Sequence, residues 1–460
     1  MNQHPNLHPT DVYQAMDAAH HWHPFTDTGD LAAKGARVVV RAKGCWLTDS
    51  DGNEILDGMA GLWCVNVGYG RQEIADAIAR QASELPYYNT FFQSTHPPVA
   101  EFSEALTAQA PAHMNRVFFT NSGSESNDTV LRLVRRYWDC VGEPKRRAVI
   151  GRWNGYHGST VAATALGGMK GMHEQSYNLP DIHYIDQPYW FGEGRDQDPA
   201  SFGLARARAL ETKIQELGPE NVAAFIGEPV QGAGGVIIPP ETYWPEIQRI
   251  CREHNILLIA DEVICGFGRT GSWWGSETFG IEPDLMPIAK GLTSGYVPMG
   301  GVFISDRVAE PVIANGGEFY HGYTYSGHPL AAAAGLVNLR ILQEEGLIER
   351  VAEKTGPYLK SRWEALADHP LVGEARLCGM MGALELVADK ETMAPFLDEG
   401  SAGTRCRDIS VQNGLVMRAV RDSMIISPPL IITEEECDLL VERARLSLDQ
   451  LAAELSRDAG

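Results

Sequence analysis

The sequence predicts an α/β fold, a mostly parallel sheet covered by helices on both faces. Three observations carry that expectation. Short apolar runs alternate with amphipathic stretches, the pattern of buried strands joined by helical crossovers. Those runs end in polar clusters rich in Gly, Ser, Asp and Lys. The length of 460 residues, 44% hydrophobic and 21% charged, suits two or three domains, or one large α/β domain with an appendage, at roughly 150 residues per domain.

Composition excludes other classes. Gly and Pro follow no collagen-like period, and no uninterrupted apolar run reaches the ~18 residues a membrane span needs. With 38 Lys+Arg against 60 Asp+Glu the net charge is −22. Such a chain does not attract phosphate backbones or anionic lipid heads, so neither nucleic acid nor membrane is an expected partner. Cys45, Cys64, Cys140, Cys251, Cys265, Cys378, Cys406 and Cys437 are scattered and form no CxxC pair. This usage reads as reducing cytoplasm rather than a disulfide framework. The opening MNQHPNLHPTDVYQAMD has no basic or apolar leader pattern, so no signal peptide is expected.

The N-terminal stretch is polar and His-rich. His20, His21 and His23 in HHWHPF invite a metal reading, but no Cys, Glu or further His follows at helical ligand spacing. A surface or interface loop without metal is the expectation. Residues 37–57 read as antiparallel strands, with Asp51-Gly52 at a turn that needs positive φ. VFF (117–119), AVI (148–150), VAAFI (222–226), ILLIA (256–260), LMPIA (285–289) and GVFI (301–304) are candidate buried strands. Among the helices between them, Val130, Leu133, Val134 and Tyr137 share one face, with Arg132, Arg135 and Arg136 turned elsewhere. A new section begins near Pro329, where a helix has Pro at its start and Gly346 just past its end. The last helix opens with a capping-box pair, Thr433 and Glu436. Its apolar stripe runs Cys437, Leu440, Val441, Ala444, Leu448, Leu451 and Leu455, and should pack on a small terminal domain.

In an open parallel sheet, ligands bind beyond the carboxyl ends of the strands. There, TNSGSES (120–126), NGYHGST (154–160), Glu228-Pro229, Asp261-Glu262 and Lys290-Gly291 follow successive apolar runs. A lysine at a strand tip either snorkels to water or, with a lowered pKa, forms a Schiff base with a carbonyl. Asp261 stands behind five apolar residues and needs a cation or several donors. Its partner is an Arg, a helix N-terminus or a protonated heterocyclic nitrogen. A Schiff-base lysine with a buried Asp for a pyridinium nitrogen is the protein's share of pyridoxal-phosphate chemistry.

Asn121-Ser122-Gly123-Ser124 lies between a strand and a helix. Backbone N–H groups there bind phosphate, and the Ser122 or Ser124 hydroxyl adds a donor; simple N-capping by Ser is the plainer reading. Tyr156 can lay its ring on a planar cofactor or merely pack. Glu228 can orient that loop, hydrogen-bond near the ring or join a buried salt bridge. Gly266-Phe267-Gly268-Arg269-Thr270-Gly271 matches GxGxxG, but it neither directly follows a strand nor opens a helix, so it reads as a tight turn near the site.

These motifs, with GEPVQGAGG, ADEVICGFGRTG, AKGLTSGYVPMG and YTYSGHP, stand in the order found in the class-III aminotransferases. The chain resembles that family, pyridoxal-phosphate enzymes of fold type I, over nearly its whole length. DGMAGLWCVNVGYG (57–70) and YNTFF (88–92) are similar to its ω-amine:pyruvate branch, which includes β-alanine, putrescine and arylalkylamine transaminases. The resemblance implies pyridoxal 5′-phosphate as cofactor and transfer of an amino group from an ω-amine to pyruvate.

It also implies roles and an assembly. Lys290 holds the cofactor and then moves the proton, and Asp261 pairs with the ring nitrogen. Ser122, Gly123 and Ser124 hold the phosphate, joined by Thr324 from the partner subunit of a homodimer, with a tetramer open. Tyr156 and Val263 sandwich the ring, with His157 and Glu228 among the cofactor-binding residues. Phe25, Trp63, Phe91 and Tyr156 line the substrate pocket. Arg418 binds the keto-acid carboxylate, although Arg421 three residues on could do so instead. The division implied is an N-terminal segment and part of the small domain (1–70), a large cofactor-binding domain (71–328) and a C-terminal small domain (329–460). Ser126 stands where the family usually has Ala, a change expected to be mild. The same Lys–Asp pair would also serve a decarboxylase or aminomutase, which released CO2 or its absence helps to separate.

Overall fold

The computed structural model describes residues 7–458; the first six residues of the segment read as lacking a leader lie outside the described residues. The chain opens with a helix, Thr10–His20, and then an antiparallel ribbon of β1 (Val39–Lys43), β2 (Trp46–Asp49) and β3 (Glu54–Asp57). Gly52 takes φ +88° between β2 and β3, as the Asp-Gly pair requires.

The central sheet contains all six expected strands: β4 (Arg116–Thr120), β5 (Ala148–Arg152), β7 (Val222–Gly227), β8 (Leu257–Ala260), β9 (Leu285–Ile288) and β10 (Gly300–Ile304). A seventh, β6 (Ile182–Ile185), was not expected. On one edge of the sheet, Ile182, His183 and Tyr184 are half-buried and Ile185 is buried, and a run so short does not stand out from a loop. The order is β4-β10-β9-β8-β7-β5-β6. Only β10 runs antiparallel to its neighbours in this sheet.

Because side chains alternate across a strand, the sheet feeds two cores. Phe225, Leu258, Met286 and Phe303 enter one. Ala224, Ile226, Leu257, Ile259 and Leu285 enter the other, against Val130, Leu133, Val134 and Tyr137 of the helix Gly123–Cys140. Truncating a residue such as Leu258 to Ala costs about 2–5 kcal/mol in a core packed this way.

The C-terminal sheet is antiparallel, in the order β11 (Val372–Cys378), β12 (Met381–Leu386), β15 (Ser423–Ile426), β14 (Arg418–Val420). A two-residue strand, β13 (Leu415–Val416), leaves this region and pairs in parallel with β3. The final helix, Glu434–Asp458, starts with the expected reciprocal cap: Thr433 N–H donates to Glu436 and Glu436 N–H donates to Thr433 Oγ1. Cys437, Leu440, Ala444, Leu448 and Leu451 are wholly buried, while Val441 and Leu455 are half-buried. Among the described residues no helix is long and apolar enough to cross a membrane.

Candidate active site

A cavity of about 350 Å³ opens beyond the carboxyl ends of the central strands, within the size range of small-ligand pockets. Ser122, Gly123 and Ser124 form one wall; Tyr156, His157 and Glu228 a second; Asp261, Val263 and Lys290 a third.

Lys290 follows β9 and is held at φ +47°, a strained conformation for a side-chain-bearing residue. Its turn is pinned from the following section of chain. Buried Asn338, on the helix Pro329–Glu344, donates to the carbonyls of Gly291 and Leu292 at 2.8 and 3.1 Å. Burial holds the Lys290 ammonium below its ordinary range; Asp261 and Glu228 oppose that effect, and Arg418 reinforces it.

Asp261 is buried at the end of β8, where three groups meet its carboxylate. Oδ2 meets His157 Nδ1 at 2.7 Å and accepts from Asn127 Nδ2 at 2.9 Å. Oδ1 accepts from Val263 N–H at 3.0 Å. Asn127 also donates to the His157 carbonyl at 2.8 Å, so one amide fixes both members of the pair. Burial raises the Glu228 carboxyl, which accepts from the N–H groups of Tyr156 and Gly232 at 3.0 Å each. Of the three roles open to Glu228, this geometry matches orienting the Tyr156 loop.

Ser122 caps the helix Gly123–Cys140, accepting from Glu125 N–H at 3.2 Å. Ser124 Oγ accepts from Ser159 N–H at 3.0 Å. Each hydroxyl keeps its own proton to donate, and both residues line the cavity at the N-terminus of this helix. The approach is close because Gly158 lacks a side chain: a Cβ there would lie 2.5 Å from Ser124 Oγ, at φ +132°. The departure at Ser126 is accommodated, since its buried hydroxyl lies 2.9 Å from both Thr120 Oγ1 and the Ser122 carbonyl.

The remaining residues lie off this cavity wall. Trp63 is buried at φ +65°, with its indole Nε1 unpartnered among the described residues. Phe25 is exposed, its ring 6.5 Å from that of Tyr156. Phe91 lies beside Gly322, and exposed Thr324 accepts from Tyr87 Oη through its carbonyl. Arg418 on β14 is half-buried, pushed below its ordinary range by burial, and electrostatically coupled to Tyr156. Arg421 is exposed at the β14–β15 turn, 3.6 Å from Glu399. Sequence reasoning missed Asn127, whose helix position resembles any polar N-terminal residue, and Cys64, which lines the cavity. The GxGxxG stretch is a turn, with positive φ at Phe267, Gly268 and Gly271.

The donor set fits the cofactor expected from sequence. A buried carboxylate fits a protonated ring nitrogen, a lysine with a depressed pKa fits an aldehyde, and a helix N-terminus with two hydroxyls fits a phosphate. What this cavity is shaped and charged to hold is pyridoxal 5′-phosphate, on the scaffold of the fold type I enzymes.

The description aminotransferase class-III matches residues 31–447. Putrescine–pyruvate aminotransferase of Pseudomonas aeruginosa is 60% identical over 445 residues, 96% of this chain and 97% of that protein. Diaminobutyrate–2-oxoglutarate transaminase of Halomonas elongata is 43% identical over 469 residues, 100% of this chain and 99% of that protein. Among solved structures, an omega transaminase from Pseudomonas jessenii in complex with PMP superposes with a TM-score of 0.94 at 40% identity, covering 96% of this chain and 99% of that one. The chain belongs to the class-III aminotransferases, enzymes that depend on pyridoxal 5′-phosphate.

Proposed function

We propose that the enzyme moves an amino group from an ω-amine, diamines included, to pyruvate, giving alanine and an aldehyde or ketone. The observation that carries this reading is Arg418: half-buried, electrostatically coupled to Tyr156 and Lys290, and without a carboxylate partner among the described residues. A guanidinium so placed takes a keto-acid carboxylate in two-pronged fashion. The pairing of Arg421 with Glu399 favours Arg418 over Arg421 for this role. The 60% identity with putrescine–pyruvate aminotransferase supports both the amine class and the acceptor.

The cofactor supplies an aldehyde that takes up and gives back the amino group, and a ring that draws electrons from the reacting carbon. The chain's residues do the rest. Lys290 Nζ, whose pKa burial lowers, takes the proton from the amine-bearing carbon of the donor and returns one to the keto acid's carbon in the opposite half. Asp261, fixed by His157 and Asn127, holds the ring nitrogen in its charged form. Ser122, Gly123 and Ser124 would hold the phosphate, and Tyr156 and Val263 would flank the ring. Trp63, Phe25 and Phe91 shape the amine side. Two substrates alternating on one site predict ping-pong kinetics.

Exposed Tyr87 and Tyr325 have rings 5.7 Å apart, and Tyr87 Oη donates to the Thr324 carbonyl. An exposed aromatic pair of this kind suits burial against a protein partner. It supports a homodimer in which Thr324 reaches the other subunit's phosphate, with a tetramer as the larger option. The eight cysteines are free, which supports a cytoplasmic enzyme. The experiment is a donor panel of monoamines, diamines and β-alanine, each offered pyruvate or 2-oxoglutarate. Alanine formation supports the reading; glutamate formation with no alanine overturns the choice of acceptor.

A further inference from the structure

The N-terminal helix Thr10–His20 ends in a cluster that the cavity chemistry leaves unused. Asp17 Oδ1 lies 3.0 Å from His21 Nδ1, and Asp17 Oδ2 lies 2.7 Å from His23 Nε2. The two imidazole centroids are 4.2 Å apart, and one ligand atom from each residue lies within 4.8 Å of the other two. Asp17 and His21 stand one helical turn apart. The chain then leaves the helix at His21 in an extended conformation, which brings His23 back over the same carboxylate. Asp17 and His23 are partly covered, with side chains 23% and 21% exposed, while His21 is 61% exposed. The cluster is therefore formed on the protein side and open on the other.

We propose that Asp17, His21 and His23 bind a divalent first-row transition ion of the zinc type. Zinc takes imidazole nitrogen and carboxylate oxygen at about 2.0–2.2 Å in a tetrahedron, which sets ligand atoms about 3.3–3.5 Å apart. The two contacts to Asp17 would widen by about 0.3–0.8 Å to reach that spacing. Two imidazoles with one carboxylate suit Zn, Ni or Cu; Mg and Ca prefer oxygen donors alone. Each ring must present a lone pair at its inward nitrogen, so its remaining proton sits on the outward one and any second proton leaves to solvent. Water from the open side completes the four ligands.

The position links the ion to the cavity. His23 is followed by Pro24 and Phe25, and Phe25 sits at φ +48° with its ring facing Tyr156. An ion anchored at His23 ties the helix end to the segment that carries Phe25. The rival reading is that the histidines only pair with Asp17 near the helix C-terminus.

The test uses tag-free, cofactor-loaded, full-length protein stripped of metal, then dialysed against zinc and titrated with cobalt. The expected result is one zinc ion per chain, with cobalt visible bands of tetrahedral type and no thiolate charge-transfer band. His21→Asn, His23→Asn and Asp17→Asn should each weaken binding more than about tenfold. Glu253→Gln, in the separate Glu211, Glu253, His254 cluster, should leave binding unchanged. Unaltered cofactor absorbance in each variant checks that it is folded. A binding isotherm insensitive to all three substitutions, a thiolate band, or binding well below one ion per chain would each overturn the proposal.

Discussion

His157 Nδ1 sits 2.7 Å from Asp261 Oδ2, with both side chains buried in the wall of the cavity. A buried carboxylate this close to an imidazole, with the Asn127 amide on the same oxygen, is held in one orientation. Hydrogen bonds to a charged group contribute about 1.5–3 kcal/mol. Asn127→Ala is therefore expected to lower kcat about 10- to 100-fold and to weaken cofactor retention. Steady-state kinetics and cofactor absorbance titration read both effects. Full activity in that variant would show that Asp261 needs no second donor.

Lys290→Ala should abolish turnover while cofactor remains bound through the other walls of the cavity. Borohydride should fix cofactor covalently to the parent enzyme and leave the variant's cofactor free to dialyse. Mass spectrometry of the reduced proteins distinguishes the two outcomes.

The two arginines of the C-terminal sheet separate by kinetics. Arg418→Leu should raise KM for pyruvate about 10- to 100-fold, the worth of a charge-assisted carboxylate contact, and should barely change KM for a monoamine donor. Arg421→Leu should change neither. The reverse pattern would assign the carboxylate to the exposed β14–β15 turn.

Glu262 predicts a pH dependence of stability. It is wholly buried, and burial pushes its carboxyl from an ordinary value of 4.5 up to about 7, although Gly275 and Ser276 donate their N–H groups to it. The native state then holds this proton more tightly than the unfolded chain does. Its contribution to stability is full below about 4.5, declines as pH rises, and levels off above about 7. Urea unfolding of the parent and of Glu262→Gln across that window should show the parent's relative stability falling with pH. A relative stability that rises with pH would contradict the sign.

The sequence carried most of the central sheet. Its inner strands are short apolar runs with turn residues behind them, and a strand buried on both faces announces itself that way. The residues at their tips, from Ser122 to Lys290, were legible because a charged or hydroxyl side chain directly after such a run has few structural uses. The β6 edge strand was not legible, since IHYI mixes apolar and polar residues over one turn's length of chain. Nor was Asn127, whose value lies in reaching Asp261 across 134 residues of sequence. Asp17 escaped for a related reason: it precedes the histidines it faces, whereas ligand spacing was sought after them. Thr324 and Phe91 lie off the cavity wall.

Strands β3 and β13 impose an order on synthesis. Leu56 and Asp57 are matched to Leu415 and Val416, and the Val416 carbonyl lies so near Gly58 that a methyl group there would sit 2.5 Å from it. The stretch that leads on to Trp63 and Cys64 therefore waits, one edge bare, while the ribosome makes nearly everything else. Chains released early, or clipped near residue 415, would leave β3 without this partner strand.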